Sequence, residues 1–203
     1  MSSTRAGTVD WTGDNPFIYL KTDPEGNWSS LSLYFRIAAS YYGRGQAILV
    51  LENPYQLEDD SAVRLCLTDN LKLARYLIEH FVRRFGLFRA AVALDRLEYI
   101  ADAQFNTEAD YPRHVTETAY SPSKETTLSM VWNNLQDTFA VVLPPEETQT
   151  GEHEMFCVFQ PASSAVVEVN GLPIAGNTVE RDFFGRRAHS ASMANSESWV
   201  SVG

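Results

Sequence analysis

Cysteine, histidine and positive charge are all in short supply in this sequence, and no long apolar run occurs in it. There are two cysteines, Cys66 and Cys157, each inside an apolar, strand-like stretch. They form no C-x-x-C pair, so neither a disulfide framework nor a cysteine-ligated metal is expected, and both read as buried free thiols. The four histidines, at 80, 114, 153 and 189, are too far apart for a local metal motif, and no metal is assigned. Lys and Arg number 16 against 26 Asp and Glu, a formal charge of −10. A surface that tracks nucleic-acid phosphates needs the opposite balance, so nucleic acid is excluded as a partner, and docking on anionic lipid is disfavoured. No apolar leader follows the first residues, and nowhere do about 18 apolar residues run together as a membrane span requires. The expectation is a cytoplasmic protein with no membrane partner. The common catalytic signatures are missing too: no Walker A loop, no G-x-G-x-x-G between strand and helix, no H-E-x-x-H, no G-x-S-x-G and no EF-hand loop. No cofactor is implied.

What is present is a generous supply of apolar and aromatic side chains, 44% and 12% of the chain. That is enough for a packed body rather than a disordered one. Residues 1–15 have no usable periodicity and read as a flexible arm, leaving 16–203 as a single β-rich domain. Asp23-Pro24-Glu25-Gly26 is a turn signal between a short strand at 17–21 and the clearest alternation in the chain. There Leu31, Leu33, Phe35 and Ile37 share one face while Ser30, Ser32, Tyr34 and Arg36 share the other, the period of a strand with one buried side. Gly43 and Gly45 turn the chain into a second apolar strand, and 63–67 reads as a third.

Asn70 then supplies a capping acceptor. Leu71, Ala74, Ile78, Phe81 and Phe85 follow at helical spacing, which predicts one main α-helix at about 70–85 ending at Gly86. Residues 87–94 are ambiguous between helix and strand. The remainder reads as short strands at 97–106, 114–120, 126–132, 139–143, 155–159, 165–169, 178–184 and 188–200, the last ambiguous. Asn170-Gly171 marks a tight hairpin, and the acidic connection 144–152 reads as a mobile loop. The fold class is therefore α+β and predominantly antiparallel β: a closed or partly open β-barrel or strongly curved sheet with one helix, or alternatively a β-sandwich with a covering helix.

Five residues stand out as candidate ligand contacts. Arg36 lies on the polar face of the first long strand, and His114 and His189 lie on or beside strands that could face a cavity. Trp132 is a large anchor. Arg181 adjoins Phe183 and Phe184 and could hold a carboxylate by bidentate hydrogen bonding. His153, between Glu152 and Glu154, reads as a solvated loop residue. Gly26-Asn27-Trp28, at the start of a long strand, resembles the G-x-W of lipocalins, which implies a ligand-holding barrel, although a central helix at 70–85 departs from the late helix of that family. The leading expectation is binding of a small apolar or amphipathic molecule in a β-barrel or curved-sheet cavity. One alternative is a cofactor-independent hydrolase, lyase or isomerase with His114 or His189 as general base. The other is a structural or subunit-interaction protein, which leaves a homo-oligomer open.

Overall fold

The computed structural model describes residues 7–202. Among them are fifteen strands and one α-helix. The strands are β1 (Thr8–Asp14), β2 (Phe17–Leu20), β3 (Ser30–Ser40), β4 (Gly45–Glu52), β5 (Arg64–Thr68), β6 (Glu98–Ile100), β7 (Gln104–Asp110), β8 (His114–Ser121), β9 (Thr126–Leu135), β10 (Phe139–Leu143), β11 (His153–Val169), β12 (Leu172–Pro173), β13 (Glu180–Phe183), β14 (Arg186–His189) and β15 (Ala191–Ser201). The helix, α1 (Leu71–His80), follows β5. This is an α+β fold of predominantly antiparallel β-structure, one curved sheet whose ends do not meet. Its order is β6-β5-β4-β3-β1-β15-β11-β9-β8-β7, with β6 and β7 as the outer strands. Strands β13 and β14 form a separate hairpin.

Two joints make the sheet curve. At Asn15-Pro16, β1 gives way to β2, and both lie between β3 and β15. Proline has no N–H for the ladder and so interrupts it there. The second joint is Pro161, within β11. Up to Pro161 this long strand pairs with β15, and from Ala162 onward it pairs with β9. Leaving the first partner for the second carries β9, β8 and β7 over the first layer.

The result is two cores, one on each face of the β2–β5 region. On one face, Ile18, Leu20, Tyr34, Ile48, Val50 and Leu67 pack against Val115, Ala119, Leu128, Met130, Trp132 and Val167 of the second layer. The other face carries Leu33, Phe35, Leu49 and Cys66 under Leu73, Ala74, Leu77 and Ile78 of α1. Strand β3 is thus buried on both sides, and Ser30, Ser32 and Tyr34, expected to face solvent, are fully covered. Small or hydrogen-bonding side chains tolerate this; the Tyr34 hydroxyl bonds Gln46 Oε1 at 2.5 Å.

Several local expectations are corrected. Residues 8–14, expected in the arm, form β1, with Trp11 fully buried between sheet and helix; residues 1–6 of that arm lie outside the described residues. The helix ends at His80 rather than near 85, because Phe81 leaves helical geometry (φ −121°) to place its ring 5.6 Å from Trp11 and 5.3 Å from Trp199. A 3₁₀ turn over Val82–Arg84 follows, and the ambiguous segment 87–94 is neither α-helix nor strand: it runs as turns to residue 90 and enters a second 3₁₀ helix at Val92–Arg96. Segment 188–200 is strand. The hairpin at Asn170-Gly171 has both residues at positive φ (52° and 74°), as its turn type requires.

His153 is not solvated. It opens β11 with its ring enclosed, Nε2 2.5 Å from Asp10 Oδ2 and Nδ1 3.0 Å from Thr150 Oγ1. The acidic connection before it is pinned rather than loose. Thr148 and Thr150 are buried, and the Arg84 and Arg89 guanidiniums donate to the Thr150 and Gln149 carbonyls.

Candidate functional site

On the helix-side face the aromatic core does not close completely. A cleft of about 340 Å³ remains, at the small end of the range for ligand sites. Its floor is Asn15, Phe17 and Tyr19 from the β1–β2 joint, Leu33 from β3, Met155 and Phe159 from β11, and Glu197 and Trp199 from β15. Three irregular segments make the rim: 85–88 after the helix, Thr148 and Gln149 before β11, and Phe183 with Phe184 at the tip of the β13–β14 hairpin. Rings such as Phe17, Phe159 and Phe183 meet mostly edge to face, at centroid distances near 5 Å (5.5 Å for Phe17–Phe183, 4.9 Å for Phe159–Phe183). That geometry favours rigid contacts over dense filling.

Two charged groups enter this apolar space. Glu197 reaches it through a β-bulge. The register between β11 and β15 slips between Phe156 and Val158, and Ser196 takes φ 57° while its N–H donates to Asp14 Oδ1 at 2.9 Å. The extra residue turns Glu197 inward, onto the same face as Trp199. Its carboxyl accepts a hydrogen bond from Trp199 Nε1 at 2.6 Å, and the Asn15 side chain and the Cys157 thiol are polar neighbours that favour its charged form. Burial nonetheless pushes the acid up to about 7, because the Trp199 hydrogen bond and these polar neighbours only partly offset the loss of water and the charge of Asp14 adds to the rise.

The second group is Arg181 of β13. Its guanidinium carbon lies 4.9 Å from the Phe183 ring, 5.7 Å from Tyr19 and 5.9 Å from Phe17. Burial lowers its pKa, opposed by Tyr19 and Asp182. Its Nε is buried with no hydrogen-bond acceptor among the described residues, and the same holds for the Asn15 side-chain oxygen on the cleft floor. Two residues of the cleft wall thus each hold an enclosed polar atom without a partner, where buried polar groups are ordinarily satisfied.

Of the five residues singled out in the sequence, only Arg181 lines the cleft. Arg36 spans the two layers on the opposite face, bonding Asp14 at 2.7 Å and lying 3.7 Å from Glu117, a carboxyl buried by the second layer and raised in pKa for that reason. Trp132 is sealed in the second core, its Nε1 donating to the Phe17 carbonyl at 3.0 Å. His114 begins β8 opposite Asn133 and Asp110. His189 ends β14 across from Glu180, with Nδ1 3.4 Å from Thr178 Oγ1. Neither imidazole borders the cleft.

Sequence reasoning missed Glu197, Asn15, Phe159 and Trp199. The one signal for Glu197 was an acid two residues before a tryptophan in a segment ambiguous between strand and helix; the bulge that turns it inward has no marker in the residue types. Among the described residues no three His, Cys, Asp or Glu side chains are grouped as a metal site. No helix among them is long and apolar enough to cross a membrane. Comparison of the chain with protein-family models, with curated proteins and with solved structures gives no match, so the cleft's own chemistry is the guide to what it does.

Proposed function

We propose that this protein binds a small apolar or amphipathic molecule in the aromatic cleft between the curved sheet, the 85–88 segment and the β13–β14 hairpin. The observation that carries this reading is a cavity walled largely by rings with the guanidinium of Arg181 in its lining, a charge without an ion pair among the described residues. A charge set in an apolar wall without a partner is costly, and an occupant that accepts from the guanidinium would offset part of that cost. We further propose the cytosol as the compartment, a reading supported by two buried, unpaired thiols.

The test is a plug. Gly86 sits exposed at the mouth, and a side chain there would first meet only the flexible Gln149 amide, at 3.3 Å. A thermal-shift screen of small amphipathic compounds should yield hits that stabilise the native chain, by about 2.7 kcal/mol at a hundredfold excess over Kd. Gly86→Phe should lose those shifts while keeping its own unfolding temperature. Hits that act equally on both proteins would place binding elsewhere and end the reading.

A second reading has one specific observation in its favour. An acid poised near 7 in an apolar cleft is suited to general acid–base work. On that reading the proton-transferring group of a cofactor-independent enzyme is Glu197, and not His114 or His189. Glu197→Gln would then abolish turnover of any substrate found while leaving its binding in place; retained turnover would remove the reading.

A further inference from the structure

Arg181 makes no ion pair among the described residues, although it lies largely within an apolar wall. The one carboxyl that acts on it is Asp182, which is exposed and accepts from the Gly185 N–H, while Glu197 lines the same cleft. The rings of Phe183, Tyr19 and Phe17 partly compensate the guanidinium through their faces, but a π-face accepts none of its in-plane N–H groups. What the site lacks is an anionic acceptor.

The kind of anion follows from the surroundings. There is one guanidinium in the cleft, and a second carboxyl, Glu197, shares the space. A phosphate dianion would bring more negative charge than one arginine offsets, inside a protein whose formal charge is already −10. A carboxylate carries one charge, and its two oxygens match the arginine fork. A cation would meet the guanidinium head-on, and a neutral acceptor could take one N–H but would leave the charge without a counter-ion. The volume of about 340 Å³ admits a body of one or two rings, not a long chain.

We propose that the ligand of this cleft is a small monocarboxylic acid with a compact apolar body, its carboxylate held by Arg181 and its body seated among Phe17, Phe159, Phe183 and Trp199. This deepens the binding reading above and rests on it. Arg181 then acts as the class-determining residue of the site, and the rings supply most of the buried area.

Three probes that share one body and differ in the head group test this: 2-naphthoate, 2-naphthalenemethanol and 2-naphthyl phosphate, titrated calorimetrically into the full chain. The expected result is naphthoate binding about tenfold or more tighter than the alcohol, the size of one charge-assisted hydrogen-bonded pair, with the phosphate weaker than naphthoate. Arg181→Gln should erase the preference by weakening naphthoate alone, and Arg181→Lys, which keeps the charge but not the fork, should fall between. The unfolding temperature of each variant shows that it is folded, and the lysine variant carries the test if the glutamine one is not. Equal affinity for acid and alcohol would overturn the carboxylate assignment while leaving the cleft a binding site. Tighter phosphate binding would overturn it in favour of a dianion. If none of the three binds the native chain, the binding reading and this proposal fall together.

Discussion

The two faces of the β2–β5 region were built from different residues, and only one of them has room to spare. The face covered by β8, β9 and the second half of β11 is filled mainly by Val, Leu, Ile, Ala and Met, with Tyr34 and Trp132 as its large members. Side chains projecting from two sheets interdigitate, and small aliphatic groups complete the fit. The helix-side face instead gathers Trp11, Phe17, Tyr19, Phe35, Phe81, Phe88, Phe159, Phe183 and Trp199. Its cover is one short helix followed by turns, so rigid rings meet irregular backbone and a cleft survives. The aliphatic face holds the layers together, and the aromatic face holds the candidate site.

Removing a keystone from each face should break this contrast most strongly. Trp132→Ala deletes a fully buried ring and strands the Phe17 carbonyl that its Nε1 satisfies. The expected loss is about 3–5 kcal/mol in urea unfolding. Phe183→Ala, at the cleft rim, should cost about 2 kcal/mol, because its ring already borders open space. Comparable losses would mean that the two faces are packed alike.

Titration sharpens the comparison next. Glu197 has its folded pKa raised from 4.5 to about 7, so the stability this contributes is fully present below 4.5 and disappears as pH rises through about 7. The amount is on the order of 3 kcal/mol. Glu197→Gln can still accept from Trp199 and carries no proton to lose. Relative to the native chain it should gain stability progressively across that window; a pH profile parallel to the native one would show that Glu197 is ionised at little cost.

The smallest effect belongs to the cover of the cleft face. The Asn70 side chain caps α1 by accepting from the Leu73 N–H, and it donates to the Tyr42 and Arg44 carbonyls. Asn70→Ala should cost about 1 kcal/mol. Faster hydrogen exchange should appear in α1, with β8 and β9 unchanged. Equal acceleration in both layers would argue that they open as one unit.

What the sequence revealed follows the same division. Strands β8 and β9 were legible because turns bound them and the polar–apolar alternation survives in them; β10, an all-apolar run, was legible from its flanking turns, with Phe139–Leu143 bounded as expected. The curved antiparallel class and the single helix were legible for the same reason. β11 read as two strands because Pro161 and the serines at 163 and 164 resemble a break, whereas the chain continues through them by exchanging partners. β1 was missed because its pattern is short and its only large apolar anchor is Trp11. Arg181 could be found because it adjoins two phenylalanines. The rest of the cleft could not, because it assembles Asn15 with side chains from β2, β3, β11 and β15 and depends on one bulge that no residue type announces.

The place of β1 in the sheet also bears on how the chain reaches this state. Thr12 and Ser198 join hydroxyls at 2.6 Å although 186 positions separate them, and they lie on neighbouring strands in the middle of the sheet. During synthesis, β1 and β2 on one side and β11 on the other would each present an open hydrogen-bonding edge toward the missing centre until β15 has emerged. High contact order of this kind slows folding and lengthens the exposure of unpaired strands to other chains. The central seam that completes the sheet is therefore also where a nascent or partly unfolded copy is most open to mispairing.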